Sequence, residues 1–274
     1  MNSIWQALAR EAELSAEHMA IGVTALGRAD MDRKAYYAQA FFALSVGFER
    51  SCKLALVLDH ALMHAGKFPA SKTVKGYRHD LDRLLLQTEK IAERMDLPTP
   101  DARLPRSDIH RGIIDTLSDF ATNVTRYFNL DLITGNPRAS EREDPVAAWS
   151  RNVTTPVLAR HYKRRHRERH MLRARHFDMS MGPYVIVRSH AETGESIETL
   201  HDAMLQSAAV AFARPWERMY VLQIARFIGT VMSSLGYAAQ GKRLEDVPYL
   251  SEFFAIFNNQ DTYLRKRKVW SIHH

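Results

Sequence analysis

Cysteine is nearly absent from this 274-residue chain. Cys52 stands alone, which excludes an internal disulfide framework and a cysteine-based zinc module and fits a reducing compartment. Its place within an apolar helical pattern makes it a buried, inert thiol. Proline does not occur before Pro69, so nothing in the first stretch of chain interrupts a helix. Long apolar runs are missing too. The longest lie around 41–48 and 54–58, far short of a membrane span. The opening residues Met1-Asn-Ser-Ile-Trp-Gln carry no basic region followed by an apolar stretch, so no secretory signal is read there. These absences lead to the expectation of a soluble cytoplasmic protein with no membrane partner.

Several chemistries lack their signatures. There is no Walker-type or Rossmann-type glycine loop, and no serine hydrolase or kinase motif. His60 with His64, and His166 with His170, have the i,i+4 spacing that places two imidazoles together on a helix, but neither pair comes with a third ligand. Glu198-x-x-His201 is one half of a di-iron bundle pattern whose other half is missing. Neither a metal nor another cofactor is expected.

What the chain does have is helical periodicity. Phe41, Leu44, Phe48, Cys52, Ala55 and Leu62 form one stripe, flanked by the i,i+4 pair Glu49 and Lys53 and closed by Gly66 and Pro69. A second helix is predicted from about Asp80 to Met95, with Leu81, Leu84, Leu85 and Ile91 turned inward. Leu97 to Pro105 reads as a stiff linker. A third helix, capped by Ser107 or Asp108, carries Ile109, Ile113, Leu117, Phe120, Val124 and Phe128 and ends at Gly135-Asn-Pro137. The helical signal fades through Glu141 to Pro156. Pro183 to Arg188 is the one strand-like stretch, and alone it makes an extended arm or small hairpin rather than a sheet. Pro215 is placed to open another helix, with Trp216, Tyr220, Ile224, Phe227, Val231 and Leu235 as its stripe. Tyr249, Leu250, Phe253, Phe254 and Phe257 mark a short terminal helix. The fold class is therefore all-α, a helical bundle with an added C-terminal helical layer.

The charge is uneven. The run from Arg160 to His176 holds seven arginines, one lysine and one glutamate, a surplus equal to the formal net charge of the whole chain, +7. The remaining acids and bases cancel. Concentrated charge of this kind is the footprint of a polyanion-binding surface, and Arg160, Tyr162, Lys163, Arg164, Arg165, Arg167, Arg169, Arg173 and Arg175 are its candidate contacts. Phosphates would supply the anions, and Tyr162 and His161 can stack on unpaired bases. No apolar residue lies between Tyr162 and Met171, so no face of that stretch is expected to enter a core. The other reading is a solvated basic segment facing an acidic partner protein.

Two passages together resemble the HEPN superfamily of small helical domains. They are Phe48-Glu-Arg-Ser-Cys-Lys53 on a long helix and Lys75-Gly-Tyr-Arg-His-Asp-Leu-Asp-Arg-Leu-Leu85 opening the next, with Arg78 where that pattern has glycine. The likeness covers roughly residues 35–135. It implies a HEPN-like domain over 1–140, leaving a basic connecting segment at 141–195 and C-terminal helices at 196–274 packing on the same core. It also implies a metal-independent ribonuclease of toxin or defence type, often a homodimer, whose signature is an arginine followed after four to six residues by histidine. Arg160 and His166 are the pair that fits, with Arg164/His170 and Arg169/His176 as further matches in the same run. From the residues themselves, Asp80 caps a helix and His79 bonds across to Glu49, either as a structural tie or as a ligand contact. A non-catalytic assembly subunit, with Phe253, Phe254 and Phe257 at its interface, is the alternative.

Overall fold

The computed structural model describes residues 2–122, 125–136 and 142–272. It is helical almost throughout, with one two-stranded ribbon among the described residues.

Helices α1 (Ser3–Leu26) and α2 (Ala35–Met63) form an antiparallel hairpin. Asn2 caps α1 by accepting the Trp5 N–H at 2.8 Å. The two axes come close because glycine stands at two facing positions. A Cβ on Gly22 would lie 2.6 Å from Leu44 Cγ, and one on Gly47 would lie 2.7 Å from Met19 Cγ. All six residues of the α2 stripe are buried, Cys52 included. A short helix, α3 (Ser71–Gly76), leads into α4 (Leu81–Arg94), and Asp80 caps α4 by accepting the Arg83 N–H at 3.0 Å.

The stretch expected as a stiff linker turns inward. It contains a single 3-10 turn at Pro100–Ala102, and Ala102 and Leu104 are buried. Helix α5 (Asp108–Ala121) is capped by Ser107 and buries Ile109, Ile113, Leu117 and Phe120. It ends earlier than the periodicity suggested. A separate helix, α6 (Phe128–Ile133), carries Phe128, while Val124 and Pro137 lie outside the described residues.

The fading signal before residue 156 hides a helical rod. Helix α7 (Pro145–Trp149) runs through a π-helical turn, Ser150–Thr154, into α8 (Thr155–His161). Pro156 has no N–H to close an α-turn, and a widened turn accommodates that loss. The buried residues Trp149, Val153 and Val157 recur at every fourth position, but polar residues fill the intervals and Pro145 and Pro156 interrupt the segment, so the stripe is weak in the sequence. The Asn152 carbonyl lies against Gly112 of α5, where a side chain would not fit.

Helix α9 (Arg164–Met181) follows, then strands β1 (Ser189–His190) and β2 (Ser196–Ile197), paired antiparallel with Ser189 opposite Ile197. The ribbon thus falls just after the strand-like stretch at 183–188, which is a 3-10 turn at Gly182–Tyr184 running on as extended chain. Helix α10 (Leu200–Gly241) is 42 residues long and contains Pro215 in its interior rather than at its start. The alanine-rich approach Ala208–Ala213 has high helix propensity, and Arg214 is fixed in the core. These two features hold the helix together across the proline. Helices α11 (Ser251–Phe254) and α12 (Asp261–Lys266) close the molecule. Phe254 and Phe257 are buried in the core, Phe253 packs on it, and Tyr249 is exposed, so these aromatics do not form the external apolar face expected of them. One apolar cluster extends from Leu8 on α1 to Trp270.

A buried polar knot sits beside that cluster. Arg214 donates to Glu217 at 2.6 Å and to the Tyr37 hydroxyl at 2.5 Å. Tyr37 in turn donates to Glu192, in the loop of the ribbon. Trp149 Nε1 and Thr154 Oγ1 also donate to Glu217, at 3.3 and 2.7 Å. The knot ties α2, α7, the π-turn, α10 and the ribbon together, and it fixes the chain on the far side of α9.

Candidate nucleic-acid interface

The basic run begins where α8 ends. Tyr162 breaks the helical path, with φ −81° and ψ 76°, and Lys163 is extended, so α9 starts in a new direction at Arg164. Arginine, leucine, methionine and alanine are good helix formers, which allows a helix despite like-charged neighbours at i,i+4. One of those neighbours is opposite in sign: Arg164 meets Glu168 at 2.6 Å in full solvent.

Only Ala174 of α9 is fully buried, yet the helix does have an inner face. His166 and His170 are half-buried and take the place of apolar residues. The His166 ring lies 4.9 Å from that of Phe212 on α10, and Tyr162 lies 4.9 Å from the same ring. The Tyr162 hydroxyl is 2.7 Å from His170 Nδ1. This corrects the expectation that nothing between Tyr162 and Met171 can pack inward. Imidazoles docked on an aromatic ring do so, and apolar periodicity does not register them.

The solvent-facing side of α9 is rich in cations, with Leu172, Phe177 and Met179 exposed among and beyond them. Arg165, Arg167, Arg169, Arg173 and Arg175 are exposed, and none has a carboxylate within ion-pair distance among the described residues. Lys163 and Arg160 are likewise exposed and without a carboxylate partner. Two histidines nearby have lowered pKa values. Burial, then Arg173 and Arg169, holds His170 below the usual imidazole range, and burial, then Arg160 and Lys163, brings His161 down to about 4.

Arg160 and His166 occupy different surroundings. Arg160, at the end of α8, lies beside Tyr220, whose pKa burial raises against the opposing pull of Arg160. Its neighbour His161 is 2.9 Å from the Tyr220 hydroxyl and stacks on Trp216 with ring centres 3.6 Å apart. His166 is packed on Phe212. The structure records no contact between Arg160 and His166. His161 and Tyr162 have their rings engaged within the protein, which sequence reasoning had offered to bases.

The second group of candidate residues does come together. Glu49 pairs with Lys53 at 2.8 Å and accepts from His79 Nδ1 at 2.9 and 3.0 Å. Asp80 caps α4, and Arg78 holds a left-handed backbone at φ 54° where glycine would be relaxed. Glu49, Arg78, His79 and Asp80 border a cavity of about 600 Å³, also lined by Phe42, Arg50 and Arg126. A larger cavity of about 850 Å³ opens between α9 and the first turns of α10, with His170 and Arg173 on its α9 side and Phe212 on its α10 side. No feature of the sequence pointed to it.

Among the described residues no group of three or more potential ligands could hold a metal ion, and no helix is long and apolar enough to cross a membrane. Comparison with known proteins gives no family model, no curated protein and no solved structure that matches this chain.

Proposed function

We propose that this protein binds nucleic acid, RNA foremost, along the outer face of α9. The observation that carries the reading is the row of five exposed, unpaired guanidiniums from Arg165 to Arg175 on one rigid helix. These cations have no carboxylate partner among the described residues, and a phosphate chain satisfies them while releasing its counterions. Guanidinium is suited to this because its planar fork meets phosphate oxygens two at a time. Arg160, Lys163 and Arg164 extend the same surface towards α8.

The test is a binding titration with labelled RNA at several salt concentrations. Replacing Arg165, Arg167, Arg169 and Arg173 together by alanine is expected to weaken binding by about a hundredfold or more and to flatten its salt dependence. An unchanged affinity and slope sinks the proposal. In that case an acidic protein partner becomes the reading for α9. Running the titration in EDTA with a His166→Ala control also reads out cleavage. A nuclease acting through Arg160 and His166 would need those two side chains to meet around the substrate.

A further inference from the structure

Beside the arginines the same surface carries apolar side chains that a phosphate backbone cannot use. Leu172 is 71%, Met179 82%, Tyr184 83% and Ile186 86% exposed, all within the stretch that follows the densest part of the basic run. Of these, Ile186 is part of the wall of the cavity of about 850 Å³, and Leu172, Met179 and Tyr184 lie outside its lining. Arg173 belongs both to the row of guanidiniums and to the cavity lining. The cavity walls are mixed. Phe212, Met204 and Ile186 give flat and apolar surface, while Asp32, His170 and Arg173 give polar groups. The Asp32 carboxylate accepts no hydrogen bond from another described residue, and His170 uses Nδ1 on Tyr162, with no recorded partner at Nε2.

A wall of this kind matches a nucleobase, which offers a flat π-face to Phe212 and edge groups to the polar residues. A duplex keeps its bases stacked and paired, and it would leave Leu172, Met179, Tyr184 and Ile186 against water or sugar. An unpaired strand brings both parts at once, phosphates for α9 and free bases for the apolar skirt. The one anionic group of the lining adds a preference. A carboxylate accepts hydrogen bonds only, so Asp32 favours a base edge that presents an amino group, as cytosine and adenine do and uracil does not.

Resting on the nucleic-acid reading of α9, we infer that the cavity between α9 and α10 receives one unpaired, amino-bearing base from a single strand whose phosphates run along Arg165–Arg175. The strand enters past Tyr184 and Ile186. Arg173 holds the phosphate next to the inserted base, and the base lies against Phe212 with its amino group towards Asp32.

The experiment is fluorescence anisotropy with the full chain and four labelled probes of equal length: oligo-C, oligo-A, oligo-U and an RNA duplex. The expected order has oligo-C and oligo-A binding about tenfold more tightly than oligo-U. Asp32→Ala, at an exposed loop position, should remove that preference, so that oligo-C, oligo-A and oligo-U bind the variant alike. Ala211→Trp, which fills the cavity from an exposed position on α10, should weaken every single strand by about tenfold and leave the duplex unaffected. If all four probes bind alike and neither variant changes the pattern, the base cavity is refuted while the basic face stands. If no probe binds, both readings fall together. Should Ala211→Trp not fold, the Asp32→Ala comparison alone decides the matter.

Discussion

His110 shows how much a single polar side chain contributes here. It is buried on α5, its Nδ1 lies 2.7 Å from the Ser107 hydroxyl, and its Nε2 lies 2.8 Å from Gln223 Oε1. Burial pulls it down to about 4 from its ordinary 6.5, against the opposing pull of Gln223. The folded state therefore resists protonation that the unfolded chain accepts. The resulting stability is present above pH 6.5 and is lost as pH falls through about 4, amounting to roughly 3 kcal/mol between those limits. Chemical denaturation across this range should show His110→Gln with a distinctly shallower acid loss than the native protein. Equal acid profiles would mean that His110 is not neutral in the folded state. Glu192 runs the other way. Burial raises its pKa despite Arg214, so its contribution is greatest below the ordinary glutamate value of 4.5 and declines as pH rises. At this scale the sequence was legible where chemistry is local. The Asp80 cap follows from its position before Leu81, and the reach of His79 to Glu49 follows from the two helices it joins. The contact of His110 with Gln223 spans 113 residues and left no local trace.

Among the elements, the α1–α2 hairpin depends most visibly on side chains that are missing. Gly47 faces Met19 Cγ and also the Met19 backbone nitrogen, the latter at 2.9 Å from a Cβ built there. A methyl group must therefore push one helix off the other. Gly47→Ala should destabilise the protein by about 1–3 kcal/mol, read as a lower denaturation midpoint, even though alanine is the better helix former. A neutral or stabilising result would mean that the helices pack less closely than described. Helices α2, α4 and α5 were readable because each buries a regular stripe at helical spacing. Two elements were hidden for identifiable reasons. The rod made by α7, the π-turn and α8 carries only three large buried apolar residues, Trp149, Val153 and Val157, among polar neighbours and two prolines, so its stripe is faint. The first half of α10 was masked by Pro215, which normally begins a helix and here lies inside one. The inner face of α9 was missed because histidines rather than aliphatic residues form it.

For the whole molecule, the fold separates a neutral body from one charged rim. The apolar cluster joins α1, α2, α4, α5, α7, α8, α10, α11 and α12 but not α9, and the buried Arg214–Glu217–Glu192 knot fixes the ribbon beyond α9 to that body. Between the body and the ribbon, α9 is held by Phe212 on one side and left open on the other. A helix fixed at its base and charged along its face is a rigid track, and a strand bound to it loses little protein entropy. The all-α class and the position of the charge were legible from composition and periodicity. The cavity beside the track was not, because it is made by Met31 and Asp32 before α2, by α9 and by α10, which are far apart in the chain.

The most direct test of the account is the salt dependence of single-stranded RNA binding by the native protein and by the variant with alanine at positions 165, 167, 169 and 173. If the five exposed arginines from Arg165 to Arg175 engage phosphates, log affinity should fall with log salt at a slope of about −4, and the variant should retain a slope of about −1. A slope near zero, or one that the four substitutions leave unchanged, would contradict the claim that α9 is a phosphate track.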